Sequence, residues 1–220
     1  MSTEPTTEQE ATDGNPRVVL ATNNVKKLRE LRRILSAQGI EVLGLADVEA
    51  SLDPPETELT FQGNAVLKAK ACALATGLPA LADDSGLSVE VLAGMPGVRS
   101  ARWAGPGSTD QENLDLLLRQ LADVPEERRA AKFVCALALV LPDGTAEVTH
   151  GEMPGRLTLA PRGVNGFGYD PIFLPEGSEQ TTAEMGPSEK DAISHRGRAI
   201  RAMVPLLTAA LDKVKAGKGE

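Results

Sequence analysis

Apolar and polar residues along the chain fall into short blocks whose period changes repeatedly, the pattern of an α/β protein. Arg17 to Ala21 is an apolar run of strand length, and Thr22-Asn23-Asn24 follows it. Leu28, Leu31 and Leu35 then recur near helical spacing, with Gly39 as a stop. A second helix is predicted from Thr60 through Ala65, Ala69 and Ala73 to Gly77. Leu78 to Ala82 reads as a strand that delivers Asp83-Asp84, and Gly86 is expected to turn the chain there. Thr109-Asp110-Gln111-Glu112 has the form of a capping box, with Leu114, Leu117, Leu118 and Leu121 as one stripe behind it. Phe133 to Leu141 is continuously apolar, and Pro142-Asp143-Gly144 turns it into a strand through Val148. That hairpin predicts a mixed sheet. Arg156 to Asp170 is Gly-rich and reads as irregular. A closing helix from about Arg196 carries Ile200, Met203, Val204, Leu207 and Leu211, and Pro205 is expected to kink or interrupt it. Residues 17–215 therefore read as a single α/β domain with a cleft.

Composition narrows the partners. A chain of 220 residues can bury a full core. Its net charge of -8 argues against nucleic acid or anionic membrane as partner, since both demand basic patches. No apolar run reaches membrane-spanning length. Met1 to Pro16 is Thr/Glu-rich, with neither a basic start nor an apolar block, and is read as a disordered tail rather than a secretory signal. Cys72 and Cys135, the two cysteines, sit in apolar settings and read as buried reduced thiols. Any metal is then held by oxygen, as Mg²⁺ or Mn²⁺ are. A cytoplasmic protein is expected.

Four segments carry candidate chemistry. Thr22, Asn23, Asn24, Val25, Lys26 and Lys27 stand where a strand meets a helix N-terminus, a place that favours phosphate. Asp83 and Asp84 offer carboxylates at a strand end, and Glu56 is a further acid able to join them around a metal. Phe167, Gly168, Tyr169 and Asp170 combine stacking rings, a flexible backbone and a hydrogen-bonding carboxylate, suited to a nucleoside. Lys190, His195 and Arg196 gather donors for phosphate or a base carbonyl. Each segment alone also has an ordinary reading: an Asx turn, an Asn-capped helix with solvated lysines, a loop pinned by its own aromatics, a Ser-capped helix. Glu56 alone reads as a surface acid and His150 as structural. Together the segments suit a nucleoside triphosphate.

The motifs Ala21-Thr22-Asn23-Asn24-Val25-Lys26-Lys27, Glu56-Thr57-Glu58-Leu59-Thr60-Phe61, Ala82-Asp83-Asp84-Ser85-Gly86-Leu87 and Pro96-Gly97-Val98-Arg99-Ser100-Ala101-Arg102 occur in that order. Gly166-Phe167-Gly168-Tyr169-Asp170-Pro171 and Ser194-His195-Arg196-Gly197-Arg198-Ala199 complete the series. The set resembles the inosine/xanthosine triphosphate pyrophosphatases, the Ham1-like family, over roughly Arg17 to Leu211. The resemblance implies an elongated, two-lobed α/β fold around a central nucleotide cleft, in a homodimer. It also implies Mg²⁺-dependent hydrolysis of dITP, ITP and XTP to the monophosphate and pyrophosphate. Asp84 would be proton acceptor and metal-site residue with Ser85 beside the substrate. Thr22 to Lys27 would hold phosphate, Phe167 to Asp170 the nucleoside, and Lys190, His195 and Arg196 the base or phosphates. Two positions depart from the family pattern, which has Gly where Glu58 stands and Glu where Gly63 stands. A carboxylate near the metal is thereby missing at Gly63, and Glu58 is the candidate to replace it.

Alternation along a strand points Asp83 and Asp84 to opposite faces. Asp84 is assigned to the cleft, and Asp83 to bracing the turn or reaching the metal through water. Two rivals remain, a Maf-like pyrophosphatase acting on pyrimidine or modified nucleotides and a nucleotide sensor without catalysis.

Overall fold

A computed structural model describes residues 17–216, so the expected tail at residues 1–16 lies outside the described residues. Strands β1 (Arg17–Leu20), β2 (Glu41–Gly44), β3 (Ala80–Val89), β4 (Ala130–Val140), β5 (Ala146–Leu157) and β6 (Phe173–Pro175) form one sheet. Their order is β2-β1-β3-β4-β5-β6. β1 pairs parallel with β2 and β3, while β3-β4, β4-β5 and β5-β6 are antiparallel. The sheet is mixed, as the hairpin pattern predicts. Helices α1 (Val25–Ser36), α2 (Phe61–Thr76), α3 (Asp110–Gln120), α4 (Pro187–Ile193) and α5 (His195–Ala216) flank it.

Local chemistry sets the helix ends. Asn24 caps α1 by accepting from the backbone N–H of Lys26 and Lys27. Thr60 caps α2 through Gly63 N–H, and left-handed Gly77 closes it. Thr109 and Glu112 form the reciprocal box at the start of α3.

Three apolar clusters divide the sheet along its length. On one face, Val18, Leu20, Leu81, Cys135, Leu137 and Leu139 pack against Leu31 and Leu35 of α1 and Ile200, Met203, Leu207 and Leu211 of α5. The opposite face is lined by Val19, Ala80, Ala82, Ala136 and Ala138 and takes the small Ala65, Ala69, Cys72 and Ala73 of α2. Further along the same strands, Leu87, Val89, Phe133, Met153 and Leu157 join Leu114, Leu117 and Leu121 around α3. Between the two halves lies Asp83 to Gly86, which belongs to no cluster.

Several predicted elements change. β3 does not end at Ala82: it is ten residues long and runs on to Val89, and Asp83 pairs with Leu137 and Asp84 with Ala136 inside the ladder. Gly86 is therefore no turn, and Asp83 has no turn to brace. The chain stays extended because helix side chains satisfy the carboxylates in place. β4 begins three residues before Phe133, and β5 continues nine residues beyond Val148, to Leu157. Glycine lets it do so, since a Cβ on Gly151 would lie 2.0 Å from the His195 carbonyl of α5. Pro205 lies inside α5 without interrupting it. The short β2, β6 and α4 escape the periodicity reading, having too few residues to show a period.

Candidate active site

Sheet alternation sends the two aspartates in different directions. Asp83 turns toward α1 and α5 and is buried. Lys27 Nζ stands 3.1 Å from its Oδ2, Arg196 Nη2 donates at 3.1 Å and Ser85 Oγ at 2.8 Å to the same oxygen. Burial alone would raise its pKa, but the charges of Lys27 and Arg196 outweigh that and hold the carboxyl far below its ordinary range. Its Oδ1 is buried without a hydrogen-bond partner.

Asp84 turns toward α2. Asn64 Nδ2 donates to its Oδ2 at 3.1 Å, and Lys68 Nζ approaches its Oδ1 at 3.5 Å. Here burial prevails over the attraction of Lys68, and the Glu56 charge adds to it, so the pKa is raised. The two neighbours thus have opposite electrostatic character: one is locked ionised, the other poised to take a proton.

Asp84 borders a cleft, whereas Asp83 lies behind its wall against Lys27 and Arg196. α1 contributes Lys27 and the capping Asn24; Phe167, Lys190, His195 and Arg196 close the far side. From the first phosphate segment, Thr22, Asn23, Val25 and Lys26 do not line the cleft. Asn23 instead donates to the Leu52 carbonyl, Thr22 Oγ1 accepts from Asn24 N–H, and Lys26 pairs with Asp110 at 3.5 Å. The Phe167 ring faces Lys26, Lys190 and Arg196 at 5.3 to 5.8 Å. Tyr169 is buried and donates its O–H to the Ser100 carbonyl, so it braces the wall. Asp170 accepts from Phe167 N–H, Thr182 Oγ1 and Lys190 Nζ, which folds the loop around it. His195 stacks on Phe133 at 4.9 Å; burial and then Arg196 and Lys190 hold its pKa well below the ordinary value, and Nδ1 has no partner.

The family model for the Ham1 family matches residues 18–206. The chain belongs to the Ham1 family. A dITP/XTP pyrophosphatase of Frankia alni is 56% identical over 202 residues, covering 89% of this chain and 98% of that relative. Another, from Nocardia farcinica, is 53% identical over 202 residues, covering 90% and 98%. Among solved structures, a HAM1 protein from Coxiella burnetii superposes with TM-score 0.79 at 41% identity, covering 88% of this chain and 98% of its own.

This Ham1 cleft also relies on residues that the motif reading passed over. Glu30 of α1 accepts from Arg196 Nη1 and stands 3.9 Å from Lys190 Nζ, so it orients two cations at once. Lys68 donates to Glu56 Oε1 at 2.9 Å, and Arg102 to Glu56 Oε2 at 2.6 Å. Spacing offered a signal in two places: Glu30 lies three residues beyond Lys27, and Asn64 and Lys68 are four apart on an otherwise alanine-lined face.

Glu56 and Asp84 are two hard oxygen donors on one cleft, with the Lys68 ammonium between them. Among the described residues, no group of three or more His, Cys, Asp or Glu could hold a metal by itself. Two carboxylates suit a Mg²⁺ or Mn²⁺ that keeps its waters and shares substrate phosphates, not an ion caged by protein. Glu58 does not join them. It lies in an exposed hollow with Thr60, Gln62, Gly63 and Lys70, outside the cleft.

Proposed function

We propose that this chain hydrolyses the non-canonical purine nucleoside triphosphates dITP, ITP and XTP to the monophosphate and pyrophosphate. The observation that carries the reading is Asp84: a carboxylate with raised proton affinity, aimed into a cleft whose other wall is cationic and aromatic. The similarity to dITP/XTP pyrophosphatases of Frankia alni and Nocardia farcinica supports it.

In this reading Asp84 orients a water and accepts its proton as the oxygen attacks the α-phosphorus. The bond from that phosphorus to the bridging oxygen breaks, and pyrophosphate leaves. Asn64 and Lys68 fix the Asp84 carboxylate while it works. Lys27, Lys190 and Arg196 hold phosphate or base, each pre-oriented by Asp83, Asp170 or Glu30. Phe167 offers a ring face to the nucleoside. His195, neutral and on the cleft wall, can bond a base whose C6 carries oxygen. Glu56 and Asp84 would hold Mg²⁺ or Mn²⁺, which when bound supplies charge neutralisation for the polyphosphate and the leaving group.

The wider reading is a cytoplasmic homodimer with no nucleic-acid or membrane partner. The two buried free thiols, Cys72 and Cys135, suit a reducing compartment. Among the described residues no helix is long and apolar enough to cross a membrane. Pyrophosphate release from dITP, XTP, dTTP, UTP, GTP and ATP, with and without Mg²⁺, tests the reading. Turnover of dITP and XTP that requires Mg²⁺ is expected, with ¹⁸O from water entering the monophosphate. Preference for dTTP or UTP, binding without release, or label confined to pyrophosphate would overturn it.

A further inference from the structure

Gly63 sits in the first turn of α2, and a Cβ there would lie 2.7 Å and 2.8 Å from Cβ and Cγ of Glu58. The same Cβ would be 3.1 Å from the capping Thr60 Oγ1. The obstructing atoms are the stem of Glu58, next to the backbone, so no rotation of a side-chain tip relieves the overlap. Glu58 thus fills the volume that a side chain at position 63 would take.

That packing is wired to the cleft. Glu58 N–H donates to Asn64 Oδ1 at 3.0 Å, and the same Asn64 donates to Asp84 Oδ2 at 3.1 Å. Two residues before Glu58, Glu56 is held by Lys68 and Arg102. Displacing the Glu58 backbone therefore disturbs Asp84 through Asn64 and Glu56 through the chain. The Glu58 carboxylate itself is outside the cleft, so what matters at this position is shape and not charge.

We propose that Gly63 and Glu58 form a coupled steric pair that positions Glu56 and Asp84 for the reaction, a role that rests on the activity proposed above. Neither residue touches substrate. Both act through Asn64 and the loop.

A double-mutant cycle with two readouts, Tm and dITP kinetics, tests the pair. Gly→Ala ordinarily favours a helix. Gly63→Ala is nevertheless expected to lower Tm by several degrees and kcat by about ten- to a hundred-fold, the scale of a small misplacement, with KM for dITP within twofold. Glu58→Gly with Gly63→Ala is expected to recover most of both losses. Glu58→Gln keeps the stem and is expected to match the native protein. If Gly63→Ala does not fold, the comparison of the double variant with Glu58→Gly alone decides, and the alanine is expected to raise Tm there. Native Tm and kcat in Gly63→Ala, or a double variant no better than it, would overturn the coupling. So would a large loss in Glu58→Gln, which would make the carboxylate the working group. Absence of pyrophosphate release by the native chain would refute the activity instead, and the Tm cycle would still judge the pair.

Discussion

Two adjacent carboxylates of one strand differ because of what faces them. Asp84 has a raised pKa, so its ionised form is disfavoured in the folded state. Protonation of Asp84 therefore stabilises the fold at low pH, and that contribution is lost as pH rises through its folded pKa. At neutral pH Asp84→Asn should consequently not lower Tm, while removal of the base costs about 10²–10⁴ in turnover. Parallel measurements of kcat and Tm check this; an active variant, or an inactive one that has lost its stability, contradicts the assigned role. Asp83 has the opposite sign. Its lowered pKa contributes stability above the ordinary value of 3.8 that disappears as pH falls below it. Asp83→Asn leaves Arg196 and Lys27 short of a buried counter-charge and should cost about 3 kcal/mol or more at neutral pH. Denaturant titrations between pH 7 and 3 should show that gap narrowing below about pH 4. A gap independent of pH would assign the loss to packing. Asp84 was legible as a chemical residue because a charge after an apolar run needs a reason. The ion pairs behind its neighbour were not: Arg196, which holds Asp83, and Glu30 are 166 positions apart, and no local period announces such a pair.

At the level of elements, β3 shows how composition misleads. Asp83-Asp84-Ser85-Gly86 has the residues of a turn, yet it occupies the middle of a ten-residue strand. Glycine serves close packing here: a Cβ on Gly86 would lie 2.5 Å from both the Gly97 carbonyl and Ser100 Oγ. Those atoms belong to the 3-10 helix Gly97–Arg102, whose Ser100 accepts from Leu87 N–H and, through its carbonyl, from Tyr169 O–H. Gly86→Ala must push that wall outward. It should destabilise the protein by roughly 1–3 kcal/mol, the scale of overpacking. Since Val98, Ser100 and Ala101 line the cleft, KM for dITP should rise as well. Unchanged Tm and KM would mean that the 3-10 helix yields freely. The capped helices, by contrast, were readable from sequence because Asn24, Thr60 and the Thr109-Glu112 box are contiguous signals. What sequence could not supply was how far β4 and β5 extend, since β4 takes its length from pairing with β3 and β5 from pairing with β4.

For the whole molecule, the consequence of those long strands is mechanical unity. The cluster around α3 is separated from the other two by the polar segment Asp83–Gly86, a division that would permit independent unfolding. β3, β4 and β5 nevertheless run unbroken through both halves, so the ladder hydrogen bonds of one half continue directly into the other. Loss of either half would expose strand edges in its neighbour and uncover the buried ion pairs of Asp83. A single cooperative transition is therefore expected. Trp103, the one tryptophan, packs against the α3 cluster and reports that half, while far-UV circular dichroism reports all helices. Leu117 is fully buried in the same cluster, and Leu117→Ala should cost about 2–5 kcal/mol. If the halves are coupled, this substitution lowers the midpoint of both signals equally. If Trp103 fluorescence alone moves, the polar segment is a true boundary, and the cleft lies between two separately folding units.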